Sequence, residues 1–211
     1  MKYQRIIPPG LKSFTLLEIL IVLALTGMLL ALASMGFNQV ARASSLTSTV
    51  QQAGDLIVLA RQTAVARNLP VEVRFYKLPD YDEPGEVASL WRAMSVMIRD
   101  GDDEQPVAAP FFFEKRVIIA ERASISPLLT QLGEEQVPSR PFGGYAVSAV
   151  RFKSFMVRPD GTLSTPEEVA SNSWFFTLYQ DTESLEDRDL PANFATLQIN
   201  PVTARVTILR P

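Results

Sequence analysis

A single carboxylate at the head of a long apolar run is the feature that most constrains this chain. Residues 14–36 are almost entirely apolar, and Glu18 is the one ionisable side chain among them. The run is long enough to cross a bilayer as one helix, which takes about 20 apolar residues. Because a charge inside such a helix is costly, its presence indicates a function. The alternative is that Glu18 lies at the level of the lipid headgroups and only marks the membrane edge.

The short segment before the run has the opposite character. Residues 1–13 contain Lys2, Arg5 and Lys12 and no acid, and Pro8-Pro9-Gly10 prevents a continuous helix there. Basic residues ahead of a span, with few after it, predict a cytoplasmic N-terminus and a single-pass topology. The larger part of the chain is then expected on the far side of the membrane. The alternative is that residues 1–13 are the ordinary cytoplasmic tail of a membrane anchor.

A secretory signal peptide is an alternative interpretation of the apolar run. Ala31-Leu32-Ala33 resembles a signal peptidase site. Signal peptides, however, have apolar stretches of about 7–15 residues, whereas this run is longer and carries an acid near its start. The sequence therefore favours a permanent membrane helix.

The residues Phe14-Thr15-Leu16-Leu17-Glu18 follow a basic leader and open an apolar helix. This arrangement resembles the processing site of type IV pilins and type II secretion pseudopilins. The resemblance implies that a prepilin peptidase cuts between Ser13 and Phe14 and methylates the new Phe14 amine. The family usually has Gly before the cut, and Ser13 keeps a small side chain there. Glu18 lies one helical turn after Phe14, so its carboxylate could pair with the Phe14 amine of a neighbouring subunit, a contact that burial would strengthen.

An amphipathic helix is predicted to continue over residues 37–68. Apolar residues recur there at spacings of three, four or six, which indicates one face packed on a sheet. The helix should end at Asn68, because Pro70 follows closely. The apolar face consists of Val40, Leu46, Val50, Ala53, Ile57, Ala60 and Ala64.

The junction after this helix carries a second resemblance. Residues 59–71 read LARQTAVARNLPV and resemble a signature of the minor pseudopilins GspH and FimT. In that signature Ala-Arg-Ser-Glu-Ala precedes a basic residue, Asn, any residue, Pro and Val; here Gln62 and Thr63 replace the Ser and Glu. The length of the chain's middle region also resembles that of the cassette D pilin-like proteins of Verrucomicrobia. The alternative is an ordinary helix-to-strand turn of an α+β domain.

Beyond residue 70 the apolar period changes to two, which predicts strands. The first strand, 71–76, should be half-buried, and residues 124–144 form an insertion containing Pro and Gly. The turn at 158–162 contains Pro-Asp-Gly, which also resembles the GspH and FimT group. The predicted fold class is therefore α+β, a pilin-like fold with a long N-terminal helix packed on an antiparallel sheet. Further strands are predicted at 89–99, 111–119, 147–157 and 174–179, with a closing hairpin at 194–199 and 202–209.

The composition argues against most chemistry. The chain has no Cys and no His, which removes disulfides, thiol chemistry, and the commonest general base and metal ligand. It also has no Gly-rich phosphate loop after a strand and no Ser in a nucleophile elbow. We therefore expect no enzymatic activity and no cofactor. The acidic turn at 100–104 is interpreted as a solvated hairpin turn, with a calcium loop as the alternative.

The favoured interpretation is a minor pilin or pseudopilin of a type II secretion pseudopilus or a type IV pilus. Residues 1–13 would be the leader, 14–36 the transmembrane and filament-core helix, and 37–211 a periplasmic pilin-like domain with its β-rich part at 70–211. The resemblance implies other pilins, the prepilin peptidase, the inner-membrane assembly platform and membrane lipid as partners.

Two other classes of function remain open. One is a DNA-binding minor pilin for DNA uptake, although a net charge of −3 and nearby acids argue against nucleic acid as a partner. The other is a membrane-anchored binding module that never polymerises. The basic residues that a DNA-binding surface would use are Arg151, Lys153, Arg158, Arg205 and Arg210.

Overall fold

The computed structural model describes residues 15–79, 89–101, 103–138, 149–165, 169–180 and 193–211, without the side chains of 33–42, 137, 138 and 149. The chain divides into two compact units, Met1–Ala41 and Arg42–Pro211. The second unit contains the sheet and the hydrophobic core.

A long helix, α1, spans Leu16–Arg67. At its start, the N–H of Glu18 donates to the carbonyl oxygen and to the hydroxyl of Thr15, at 3.1 and 3.2 Å. A Thr hydroxyl at this position satisfies a helix donor that would otherwise lack a partner. At its end, Asn68 has a φ of 52°, the left-handed conformation that commonly terminates helices. The helix therefore ends where the sequence predicts.

Within Arg42–Pro211, α1 packs on the sheet through the predicted apolar face. The six members of that face from residue 46 onward are at most 1% exposed, whereas Val40 lies outside the described side chains. At Gly54 the helix faces the closing hairpin, and an added Cβ would lie in ordinary van der Waals contact, 3.7 Å from Val206 and 3.9 Å from Leu197. The buried members are Leu46, Val50, Ala53, Ile57, Ala60 and Ala64.

The described strands form one sheet, and all of its pairings are antiparallel. Its main path runs β11-β10-β9-β5-β2-β1-β7-β6, with β3 and β4 beside β2 and β8 beside β7. A short helix, α2 (Pro127–Gln131), precedes β6, and a single 3-10 turn spans Ser171–Ser173. The strands are β1 (Val71–Leu78), β2 (Leu90–Asp100), β3 (Asp103–Pro106), β4 (Phe111–Phe112), β5 (Val117–Ile119), β6 (Glu134–Pro138), β7 (Ala149–Val157), β8 (Leu163–Ser164), β9 (Phe175–Gln180), β10 (Phe194–Ile199) and β11 (Val206–Leu209).

The first strand differs from its prediction. Alternating apolar and polar residues indicated a half-buried strand, but Glu72, Arg74 and Tyr76 are only 2%, 3% and 4% exposed. Both faces of β1 are therefore buried. The polar face is tolerated because its charged residues form ion pairs. Periodicity separates the two faces of a strand but does not reveal whether the polar face is covered.

Two other regions differ in detail. The predicted strand at 111–119 is divided into β4 and β5, and Arg116 between them has a φ of 66°, which strand geometry does not allow. The described part of the predicted insertion, by contrast, contains ordered elements, α2 and β6. Residues 139–148 lie outside the described residues. Parts of the loops predicted around 77–86 and 181–189 also lie outside them.

Candidate functional site

The predicted processing site is only partly within the described residues. Ser13 and Phe14 lie outside them. Glu18 lies in the first turn of α1 and is exposed. The structure therefore places the carboxylate at the exposed start of the helix.

The helix that follows Glu18 presents apolar side chains on all sides. Every large apolar side chain from residue 16 to residue 32 is between 51% and 79% exposed. Five consecutive residues, 19–23, are among them, and five residues exceed one full turn of 3.6. Thr26, a polar residue in this segment, donates its hydroxyl to the carbonyl oxygens of Val22 and Leu23, at 2.8 and 3.0 Å. Its polar group is thus satisfied within the helix, as an apolar environment would require.

A helix that crosses a membrane must be both long enough and apolar enough. Within the described part of the chain, no helix meets both requirements for crossing a membrane.

The Pro-Asp-Gly turn packs against the part of α1 that lies on the sheet. Gly161 has a φ of 81°, and an added Cβ would lie 3.2 Å from Nε of Arg61 and 3.6 Å from Val65. Oδ1 of Asp160 accepts hydrogen bonds from the N–H and the hydroxyl of Thr162, at 2.9 and 2.7 Å. These bonds hold the pKa of the Asp160 carboxyl below its usual value. The turn predicted from sequence therefore needs Gly for its conformation and lies close to the helix.

The closing hairpin is connected to the end of β7 and β8. In the turn of this hairpin, Oδ1 of Asn200 accepts hydrogen bonds from the N–H groups of Val202 and Thr203, at 2.9 and 3.0 Å. Ala204 has a φ of 50°, a conformation that Gly adopts more readily than other residues. The N–H of Leu163 donates to the Pro201 carbonyl oxygen at 2.7 Å. This bond joins β8 to the hairpin turn.

A network of four charges lies on the polar face of β1 and was not predicted from the sequence. Arg74 contacts Glu72 and Glu104, both at 2.6 Å, and Arg99 contacts the same two carboxylates at 3.1 and 3.0 Å. The guanidinium of Arg74 also lies over the ring of Phe152, 4.5 Å from its centroid. Two arginines and two glutamates make the network neutral. Charged residues two apart in β1 were its only signal in the sequence.

The pKa values follow from this pairing. Burial disfavours the charge of Arg74, but its hydrogen bonds to Glu104 and Glu72 outweigh that effect and raise the pKa of Arg74. The hydrogen bond from Arg74 lowers the pKa of Glu104, against the opposing effect of burial. Burial raises the pKa of Tyr76, whose hydroxyl lies 2.9 Å from that of Ser95. Arg74 and Glu104 are thus charged at neutral pH.

The acidic turn at 100–104 connects β2 and β3. Gly101 has a φ of 63°, and the carboxylate of Glu104 is bound to Arg74 and Arg99. Asp102 lies outside the described residues. Among the acidic residues that are described, no group of three or more is close enough to hold a metal ion. The hairpin turn is present, and one of the carboxylates offered for calcium is committed to ion pairs.

The five basic residues considered for DNA binding are not equivalent. Lys153 is buried and donates to the carbonyl oxygen of Leu129 at 2.9 Å, and burial lowers its pKa. A buried lysine cannot contact a phosphate, so its inclusion was wrong. Arg151 is half-buried and lies 3.2 Å from Glu134 in an ion pair. The other three, Arg158, Arg205 and Arg210, are exposed.

Described by its elements, the protein is an α+β protein with a long N-terminal helix, and the second part of that helix packs on an antiparallel sheet. No family model matches the sequence, and no curated protein is similar enough to it to count as a match. Among solved structures, this chain is similar to the type IV minor pilin FimU of Pseudomonas aeruginosa strain PAO1. The alignment covers 80% of this chain and 89% of the FimU chain. The two share 14% sequence identity, with a TM-score of 0.40.

Proposed function

We propose that this protein is a minor pilin or pseudopilin, a structural subunit of a type II secretion pseudopilus or a type IV pilus. A prepilin peptidase would cut between Ser13 and Phe14 and methylate the Phe14 amine. Residues 14–36 would anchor the chain in the inner membrane and later form the filament core. The domain beyond residue 37 would lie in the periplasm, and no catalytic role is proposed for it.

The single observation that carries this proposal is the exposure of apolar side chains on all sides of α1 after Glu18. An apolar surface of this kind is unstable in water and needs lipid or other apolar helices around it. A carboxylate at its head has a cost in such surroundings unless a cation pairs with it. The N-terminal amine produced by cleavage before Phe14 would supply that cation. The partial GspH and FimT signature, at the junction of α1 and β1, supports the same assignment.

The first experiment determines the N-terminus. The full chain is expressed with and without a prepilin peptidase, and the intact mass is measured. We expect loss of residues 1–13 and one added methyl group only when the peptidase is present. A protein that keeps Met1 with the peptidase, or one cut near Ala33, would overturn the proposed processing. Ser13→Gly should be processed at least as completely, because it restores the family's usual residue.

A membrane-anchored module that does not polymerise is the competing proposal. It shares the exposed apolar helix but gives Glu18 no partner. The two proposals differ in the effect that Glu18→Ala should have on assembly.

A further inference from the structure

The sheet of Arg42–Pro211 ends in two edges of opposite character. At one end, β11 contains no charged residue and pairs, among the described strands, with β10 alone. At the other end, β6 begins with two exposed acids, Glu134 and Glu135, and ends in Pro138. Open edges are templates for a strand of another chain, and charged residues or Pro protect them. By this criterion β11 is unprotected, whereas the acids of β6 restrict it to strands of complementary charge.

The backbone of β11 directs two residues toward its open side. The N–H of Asn200 donates to the carbonyl oxygen of Arg205 at 2.9 Å, which sets the alternation of the antiparallel ladder. Thr207 and Leu209 then form backbone hydrogen bonds with β10. Val206 and Ile208 direct their N–H and C=O groups away from β10. The side chains of Val206 and Ile208 pack against the core. The edge is therefore held in an extended conformation, and its outward backbone groups pair with no other strand among the described residues.

The order of the strands decides how a second copy could supply that strand. Each step along the path from β11 to β6 is antiparallel, and the number of steps is odd, so β11 and β6 run in opposite directions. A second copy in the same orientation, placed beside β11, would present its β6 antiparallel to β11. No inversion of the copy is needed. Contacts between different surfaces of identical subunits in one orientation generate open filaments.

The charges favour β6 over a second β11 as the added strand. Two β11 strands paired antiparallel would gain no attraction between charges, because both charged residues next to the strand, Arg205 and Arg210, are basic and exposed. When β6 is added with Gln136 opposite Ile208, Glu134 lies opposite Arg210 instead. Opposite charges in this position stabilise the pair.

We propose that the open edge of β11 accepts β6 of a second copy of this chain, which continues the antiparallel sheet from one subunit to the next. The inference rests on the proposed filament assembly and adds a contact between globular domains to the contact at Glu18. Because Pro138 has no N–H, the shared ladder would be confined to the first residues of β6.

Cysteine cross-linking tests this pairing in the full chain, which has no native Cys. In the proposed register Leu209 lies opposite Glu135 at a non-hydrogen-bonded position, where Cα atoms are about 4.5 Å apart, close enough for a disulfide. Two differently tagged full-length copies, one with Leu209→Cys and one with Glu135→Cys, are co-expressed under assembling conditions. We expect a disulfide-linked heterodimer. Leu209→Cys with Val202→Cys is the matched control, because Val202 is 69% exposed and belongs to neither edge.

Each outcome bears on the proposal. A heterodimer of the Leu209→Cys and Glu135→Cys copies supports it. A homodimer of Leu209→Cys alone would indicate β11–β11 pairing and overturn it, as would the absence of any cross-link. Leu23→Cys in α1 serves as a separate reporter of helix packing. If Leu23→Cys cross-links and the edges do not, the strand pairing fails while the proposed assembly stands; if neither does, assembly itself fails.

Charge reversal tests the register. Arg210→Glu should lower the yield of the cross-link about two- to fivefold, the effect of one exposed ion pair. Glu134→Arg in the partner copy should restore it. A yield that Arg210→Glu leaves unchanged, or that the second substitution lowers further, would overturn the assignment of this ion pair and of the register.

Discussion

The two parts of α1 differ in what surrounds them. From residue 16 to residue 32, large apolar side chains are exposed on every side of the helix. From residue 43 to residue 67, apolar side chains are buried along one face, and polar residues occupy most of the other. A helix packed on a protein core needs only one apolar face, whereas a helix that is apolar all round needs apolar surroundings on all sides. The second part is therefore stabilised by contacts within this chain, whereas the first exposes its apolar side chains on every side.

The largest effect is expected at the carboxylate of the exposed part. If Glu18 pairs with an amine in an apolar environment, Glu18→Ala leaves that amine without a partner at a cost of about 3–5 kcal/mol. Incorporation into filaments should then fall more than about a hundredfold. An immunoblot measures the ratio of the protein in sheared or cross-linked filaments to the protein that stays in the membrane.

The matched control for this prediction is Asp55→Ala, which removes an exposed acid from the second part of the same helix. It should leave incorporation unchanged. Unchanged incorporation of Glu18→Ala would instead favour the anchored module that does not polymerise.

A matched pair of isoleucines compares the two parts of α1 directly. Ile57 is fully buried and Ile21 is 51% exposed. Ile57→Ala should lower the free energy of unfolding by about 2–5 kcal/mol, since it removes buried methyl groups and leaves a cavity. Ile21→Ala should change it by less than about 0.5 kcal/mol. Denaturant unfolding of the full chain in detergent, followed by tryptophan fluorescence, measures both; equal effects would contradict the distinction.

Acid should weaken the charge network on the polar face of β1. Among the described residues, the first part of α1 has no such network. The hydrogen bond from Arg74 lowers the pKa of Glu104 in the folded state. A carboxyl with a lowered folded pKa stabilises the protein above its unfolded pKa of about 4.3, and this contribution is lost as the pH falls through the folded pKa. The unfolding midpoint should therefore fall as the pH decreases below about 4.3.

Glu104→Gln tests whether this residue is responsible. The variant should be less stable at pH 7, and the difference from the unaltered chain should shrink on acidification. Because Glu104 is partly exposed, solvent screening keeps the effect small. Two curves that stay parallel across the acid range would assign the pH dependence to other carboxyls.

A small effect is also expected where α1 ends. Asn68 adopts a left-handed conformation with a φ of 52°, which costs a residue such as Ala about 1–2 kcal/mol. Asn68→Ala should lower the unfolding free energy by about 1 kcal/mol, and Asn68→Gly should not. If both variants lose the same stability, the side chain rather than the backbone conformation of Asn68 would be responsible.

Several elements of the fold were predicted from local signals. The buried face of α1, its end at Asn68, strand β1 and the turn at Gly161 each follow from a spacing or a residue that acts over a few positions. The strands β2, β7, β9 and β10 lie close to their predicted ranges as well. Local patterns of this kind are fixed by backbone geometry and the side-chain period.

Other features depended on residues far apart in sequence. Glu104 pairs with Arg74 across two strands, and Lys153 is buried because α2 supplies a carbonyl oxygen to it. No local pattern distinguishes a buried lysine from an exposed one in an alternating strand. The sequence therefore offered Lys153 as a surface residue and missed the charge network.

The amino-acid sequence by itself determined the secondary structure of α1, its division into an all-round apolar part and a one-sided part, and the single acid at its head. These follow from periodicity and hydropathy along a continuous stretch. Only the tertiary structure decided which charges are buried together and which strand, β11, forms an unprotected edge of the sheet. The physical reason is that burial and edge position are properties of strand order, which brings distant residues into contact and leaves others at the boundary.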